Sequence, residues 1–190
     1  PTGVDEREAM AFAREKESWI RNHLERREED VPVALGSEIP VQGVTHRVVQ
    51  GQGRRVVMEG GVIMVPGPVE RIGARLKGHF KQMARVRLVG ASDEYAARLG
   101  RPYERISIRD TRSRWGSCSS NGTLMYSWRL IMAPDDVLDY VAAHEVAHLA
   151  EMNHSPAYWA GVERIFGDYR PARRWLKNEG NMLHRFKFGD

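Results

Sequence analysis

The spacing of apolar positions changes several times along this chain, and each change marks a candidate element. Between Asp5 and Asp30 the sequence is dense in both charge signs. Phe12, Trp19, Ile20 and Leu24 are spaced there as a narrow apolar stripe, which predicts an accessory N-terminal helix within residues 1–35. From 38 to 66 the pattern shortens. Val41, Val44, Val48, Val49, Val56, Val57, Val62, Ile63 and Val65 are punctuated by Gly43, Gly51, Gly53, Gly60 and Gly61, as expected of short strands in an antiparallel meander. Pro66-Gly67-Pro68 ends that sheet, and Val69 to Leu99 reads as one or two helices, broken near Gly90 and stopped at Gly100. Asn121-Gly122, between the alternating runs of Ile106 to Leu130, is a hairpin signal because both residues tolerate positive φ. Pro134-Asp135-Asp136 starts the next helix, with proline where no N–H is needed and carboxylates at the positive end of the dipole. Val137, Leu138, Val141, Ala142 and Leu149 give that helix a buried face, and Asn153, tolerant of the left-handed conformation, is the expected stop. Ser155-Pro156 opens a further helix bearing Tyr158, Trp159, Val162, Ile165 and Phe166, closed by Gly167. The sum is an α+β chain, a small antiparallel sheet packed on helices, with residues 36–190 as its main domain.

Composition narrows the class. With 190 residues and 42% apolar content the chain can bury one sizeable core. A lone cysteine, Cys118, excludes a disulfide framework and reads as packing or a weak thiol. No apolar run approaches membrane-spanning length, and residues 1–30 lack the continuous apolar stretch of a secretory signal, so a cytoplasmic protein with no membrane partner is expected. The net charge of +4 is compatible with nucleic acid but does not require it, because the arginines are spread along the chain as a solvated surface would have them. Nothing in the pattern sets an oligomeric state.

Chemistry concentrates in His144-Glu145-Val146-Ala147-His148, followed by His154. Two histidines one helical turn apart project from the same face and can share an ion, while Glu145 points to one side, where it can reach a water without being a ligand. Three imidazoles with an open fourth position make a catalytic zinc site; four protein ligands would make a structural one. Glu163 or Asp168 is an alternative third ligand, since His-His-Glu sets also hold zinc. The spacing can arise by chance on any histidine-bearing helix, yet imidazoles and a carboxylate on an apolar helix are costly to bury without a partner such as a metal.

Around this segment, Arg114-Trp115-Gly116-Ser117-Cys118, Trp128-Arg129-Leu130, Ala133-Pro134, Tyr140-Val141, His144 to Leu149, Asn153-His154-Ser155 and Trp159 occur in an order that closely resembles the YgjP-like metallopeptidase family. The likeness runs from about Ile39 to Trp175-Leu176 and leaves residues 1–30 outside. It implies a zincin-like fold, zinc on the positions of His144, His148 and His154, and Glu145 as the catalytic glutamate. It also implies kinship with SprT-like proteases, some of which cleave proteins attached to DNA.

The expected function is zinc-dependent hydrolysis of protein or peptide substrates, with Glu145 as general base. An oxyanion or substrate contact is required as well, for which Arg114, Tyr126 and Tyr158 are candidates, with Arg112 a further carboxylate-binding arginine. Asp139, Glu151 or backbone carbonyls would orient the histidines. Trp115 and Trp128 read as core, and the hairpin strand before the histidine helix could pair with an extended peptide. Two rivals remain. One is a non-catalytic module in which zinc only holds a nucleic-acid- or protein-binding fold; the other is a small-substrate metal hydrolase or deaminase, which lacks its usual Cys-x-x-Cys partner here.

Overall fold

Alternating valines do become strands after residue 30, in an order that their spacing does not reveal. The structure, a computed structural model, describes residues 5–17 and 29–189, which fall into two units divided after Asp30. In the first, α1 (Glu6–Glu15) is capped by the Asp5 carboxylate, which accepts from the Arg7 N–H. Its Phe12 is 62% exposed, and the other members of the predicted stripe, Trp19, Ile20 and Leu24, lie outside the described residues.

The second unit begins with β1 (Val31–Pro32), β2 (Glu38–Val41), β3 (Val44–Gly51), β4 (Val57–Glu59) and β5 (Val62–Pro66). Strands β2 to β5 form one sheet in the order β2-β3-β5-β4, so the meander is corrected: β5 lies beside β3 and parallel to it, with β4 outermost. Burial explains the choice. Ile63 and Val65 of β5 are fully buried and belong in the middle of a sheet, whereas Val57 of β4 is 46% exposed and suits an edge. The tight β4–β5 connection rests on Gly60 and Gly61, both at positive φ, as a two-residue hairpin turn needs.

A single helix, α2 (Ile72–Leu99), follows; Gly90 does not interrupt it. That glycine is exposed with no other group against it, so it costs about 1 kcal/mol in helix propensity and the buried face carries the helix through. Gly100 ends the helix in the left-handed conformation, its N–H returned to Ala96 and Ala97. A second sheet, β6 (Arg105–Arg109), β7 (Gly116–Cys118) and β8 (Thr123–Ser127), has the order β6-β8-β7. The β7–β8 hairpin is antiparallel as predicted, and β6 joins β8 in parallel, so both sheets are mixed rather than antiparallel throughout. Then come α3 (Asp135–Ala147), α4 (Pro156–Phe166), α5 (Arg170–Asn178) and β9 (Phe186–Lys187), which pairs with β1. The α+β class stands. Helix α3 packs against α2 on one side and β7 on another, with Val137, Leu138, Val141, Ala142 and Val146 all buried. No described helix is long and apolar enough to cross a membrane.

The tail is fastened by Arg129. Its guanidinium donates to Asp110 Oδ1 at 2.7 Å and to the carbonyls of Leu183 and Phe186 at 2.9 and 3.1 Å, and lies 4.8 Å from the Trp128 ring centroid. Burial would raise the Asp110 carboxyl, but the hydrogen bonds and charge of Arg129 outweigh that and hold it below its ordinary 3.8. Replacing Arg129 with alanine leaves buried acceptors without donors. The expected loss is about 2–3 kcal/mol in urea denaturation, discounted because the Asp110 carboxylate is partly exposed. A depressed carboxylate stabilises the fold above its ordinary value and loses that contribution as pH falls through the folded value. Wild type should therefore lose stability below about pH 4 more steeply than Arg129→Ala, and parallel acid profiles would show that the pair does not govern this limb.

Candidate metal centre

His144 and His148 leave the last turn of α3 one turn apart, with ring centroids separated by 5.2 Å and planes at 90°. The helix stops earlier than Asn153. It closes at His148 through tightened bonds from Leu149 to Val146 and from Ala150 to Ala147, and Asn153 is not left-handed: among the described residues only Gln42 is a non-glycine at positive φ. The turn then brings His154 back to 5.1 and 4.9 Å from the rings of His144 and His148.

The first turn of α4 holds this arrangement in place. Ser155 caps it by accepting from the Tyr158 N–H, and Pro156 takes the first helical position, as predicted. Tyr158, fully buried, stacks on His148 at 4.5 Å and donates its hydroxyl to the His144 carbonyl at 2.9 Å. Trp159 stacks on His154 at 5.5 Å and on Tyr169 at 4.9 Å, with the Arg173 guanidinium 4.5 Å from its ring centroid.

One nitrogen from each of the three histidines lies within 4.8 Å of the other two, and the Nε2 atoms of His144 and His154 are 3.2 Å apart. Two nitrogens bound to one tetrahedral zinc at ordinary lengths sit about 3.3 Å apart. An N–H···N hydrogen bond spans a similar distance, so the spacing alone does not choose. The donor set does fit a metal. His148 Nδ1 lies 3.0 Å from the Glu151 carbonyl, which can only accept, so the proton sits on Nδ1 and Nε2 is left as the free ligand atom. Burial draws His144 down to about 3, helped by the two neighbouring imidazoles and Arg173; burial lowers His148 too, against the opposing pull of the Glu151 carbonyl. Neutral rings with converging lone pairs are what a divalent cation requires.

Glu145 is 5% exposed and faces β7, where a Cβ on Gly116 would fall 2.5 Å from its Oε1. Burial, partly offset by Arg114, raises its carboxyl to about 8 in the absence of a cation. Arg112 and Arg114 are both exposed in the loop that leads into β7. The Tyr158 hydroxyl is committed to the His144 carbonyl. Tyr126 is fully buried, its hydroxyl 3.0 Å from Ser92 Oγ and 3.5 Å from the Ala142 carbonyl. Asp139 pairs with Arg87, Glu151 serves through its carbonyl, and Glu163 and Asp168 both engage Arg170. Trp128 is core; Trp115 is half-buried and stacks on His184. Sequence reading missed Gly116 and Arg173. A glycine inside an alternating run signalled the first, whereas nothing distinguished the second from other arginines of α5.

Comparison with curated proteins finds no match. Among solved structures, the crystal structure of the metallopeptidase zymogen of Pyrococcus abyssi abylysin aligns at 22% identity and a TM-score of 0.44, covering 52% of this chain and 97% of that one. The family described as YgjP-like, metallopeptidase domain, matches residues 1–179, including the N-terminal segment that the motif likeness left out. A match of that extent makes this chain a member of the YgjP-like metallopeptidase family.

Proposed function

We propose that the protein is a zinc-dependent endopeptidase, with His144, His148 and His154 as metal ligands and Glu145 as general base. Membership in a metallopeptidase family supports hydrolysis of peptide bonds, and one observation carries the assignment of residues: three imidazole nitrogens converge at the end of α3, where Glu145, next to His144, presents a buried carboxylate. A zinc ion held there supplies Lewis acidity, bringing the pKa of a water to roughly 7 and polarising a peptide carbonyl. Glu145 takes the proton of the attacking water and returns it to the leaving amine. The Tyr140 hydroxyl, 3.5 Å from His144 Nδ1, and the Glu151 carbonyl, 3.0 Å from His148 Nδ1, keep two of the rings aimed. Arg114, exposed and electrostatically coupled to Glu145, is the side chain best able to meet an oxyanion, because the Tyr126 and Tyr158 hydroxyls are engaged internally.

An endopeptidase needs room for chain on both sides of the scissile bond. Support comes from β7, the outer strand of its sheet, which packs against α3 and, among the described residues, has only β8 as a strand partner. An extended peptide can add to such an edge through its main chain.

Elemental analysis and cleavage of an unstructured protein substrate test this together. Wild type and Glu145→Gln should each retain about one zinc per chain, with cleavage in the variant reduced by about 10²–10⁴-fold. His148→Ala and His154→Ala should lose the metal as well as the activity, and chelation should inactivate wild type until zinc is restored. Equal cleavage by wild type and Glu145→Gln would leave a zinc-held binding module as the better reading.

A further inference from the structure

Glycine weakens a strand, and the usual justification for one, access to positive φ, is missing at Gly116. The residue lies in β7 opposite Tyr126 of β8, and its φ is not in the left-handed region. What sets the position apart is the space over its Cα. A Cβ there would sit 2.5 Å from Oε1, 2.6 Å from Cγ and 2.8 Å from Cδ of Glu145, distances that no carbon atom tolerates. Gly51 and Gly73 are similarly crowded, but by the backbone of Met64 and Phe188, as in ordinary close packing. At Gly116 the obstructing group is the side chain that the proposed mechanism uses.

Neither backbone has freedom to retreat, so a Cβ at this position would have to displace the Glu145 side chain itself. The Ser127 N–H donates to the Trp115 carbonyl at 2.8 Å, fixing the start of β7 to β8. The Trp115 ring stacks on His184 at 5.0 Å and 30°, and a Cβ on Gly180 would come within 3.2 Å of it, so the C-terminal segment backs the strand. On the other side, Glu145 sits between His144 and the rest of α3, whose neighbours Val146 and Ala147 are core. Rotating the helix to free the carboxylate would disperse the histidines.

We propose that Gly116 is a positioning residue for Glu145: the bare backbone of β7 is the wall against which the carboxylate rests, and the missing side chain is what lets helix and strand approach closely enough to hold it. Its consequence for catalysis rests on the reading of Glu145 as general base; the contact itself does not. A misplacement of about 1 Å in a reacting group costs on the order of 10²-fold in rate.

The test is a double-substitution cycle with kinetics. Gly116→Ala should lower kcat about 100-fold, with KM within about twofold and zinc content unchanged, a split that general destabilisation does not produce. In parallel, the fall in Tm caused by Gly116→Ala should be relieved when Glu145 is already alanine, because the three nearest obstructing atoms all belong to that side chain. This arm reads the contact even if the single variant folds poorly, and it stands independently of protease activity. Wild-type kcat in Gly116→Ala, or an equal fall in Tm in both backgrounds, overturns the proposal.

Discussion

A helix buried on almost every side must deliver its polar side chains through whatever opening remains, and α3 obeys that constraint at its C-terminal turn. Its apolar residues are committed to α2 and the core, so His144, Glu145 and His148 emerge into a largely buried space, and the exposed His154 completes the set from beyond the helix. Burial makes the charged forms of His144, His148 and Glu145 expensive, which explains why those two histidines are drawn toward neutrality and the glutamate toward protonation. A divalent cation reverses part of that cost, because it needs neutral nitrogens and stabilises a nearby negative charge. The polar groups of the centre and the apolar packing of the helix are thus two sides of one arrangement.

Features encoded within a few residues were legible in the sequence. The helical turn between His144 and His148, the Ser155-Pro156 start of α4, the Asn121-Gly122 hairpin and the Gly100 stop all depend on local backbone preference, and each is where the sequence puts it. Local logic also set the α+β class. Strand order was not legible, because alternation reports which face of a strand is buried and not which neighbour it takes; hence β5 between β3 and β4, and β6 beside β8. Asn153 illustrates another limit. Its tolerance of positive φ is a permission that the chain does not use; the helix closes earlier, at His148, whose Nδ1 meets the Glu151 carbonyl.

Roles at the centre sorted by what each hydroxyl or guanidinium already does. Tyr126 and Tyr158 had suitable chemistry by residue type, but one is sealed against Ser92 and the other holds the His144 carbonyl. Residue type cannot report such prior commitments, whereas Arg114 keeps its guanidinium exposed. Gly116 carried a visible signal, an unexplained glycine in a strand, whose meaning required knowing that Glu145 arrives opposite it from a separate element.

The stack of Trp115 on His184, with Gly180 beside it, ties β7 to residues synthesised long after the histidine helix. Whatever the strand facing Glu145 contributes to the proposed chemistry therefore depends on residues 180–184, the segment that backs it.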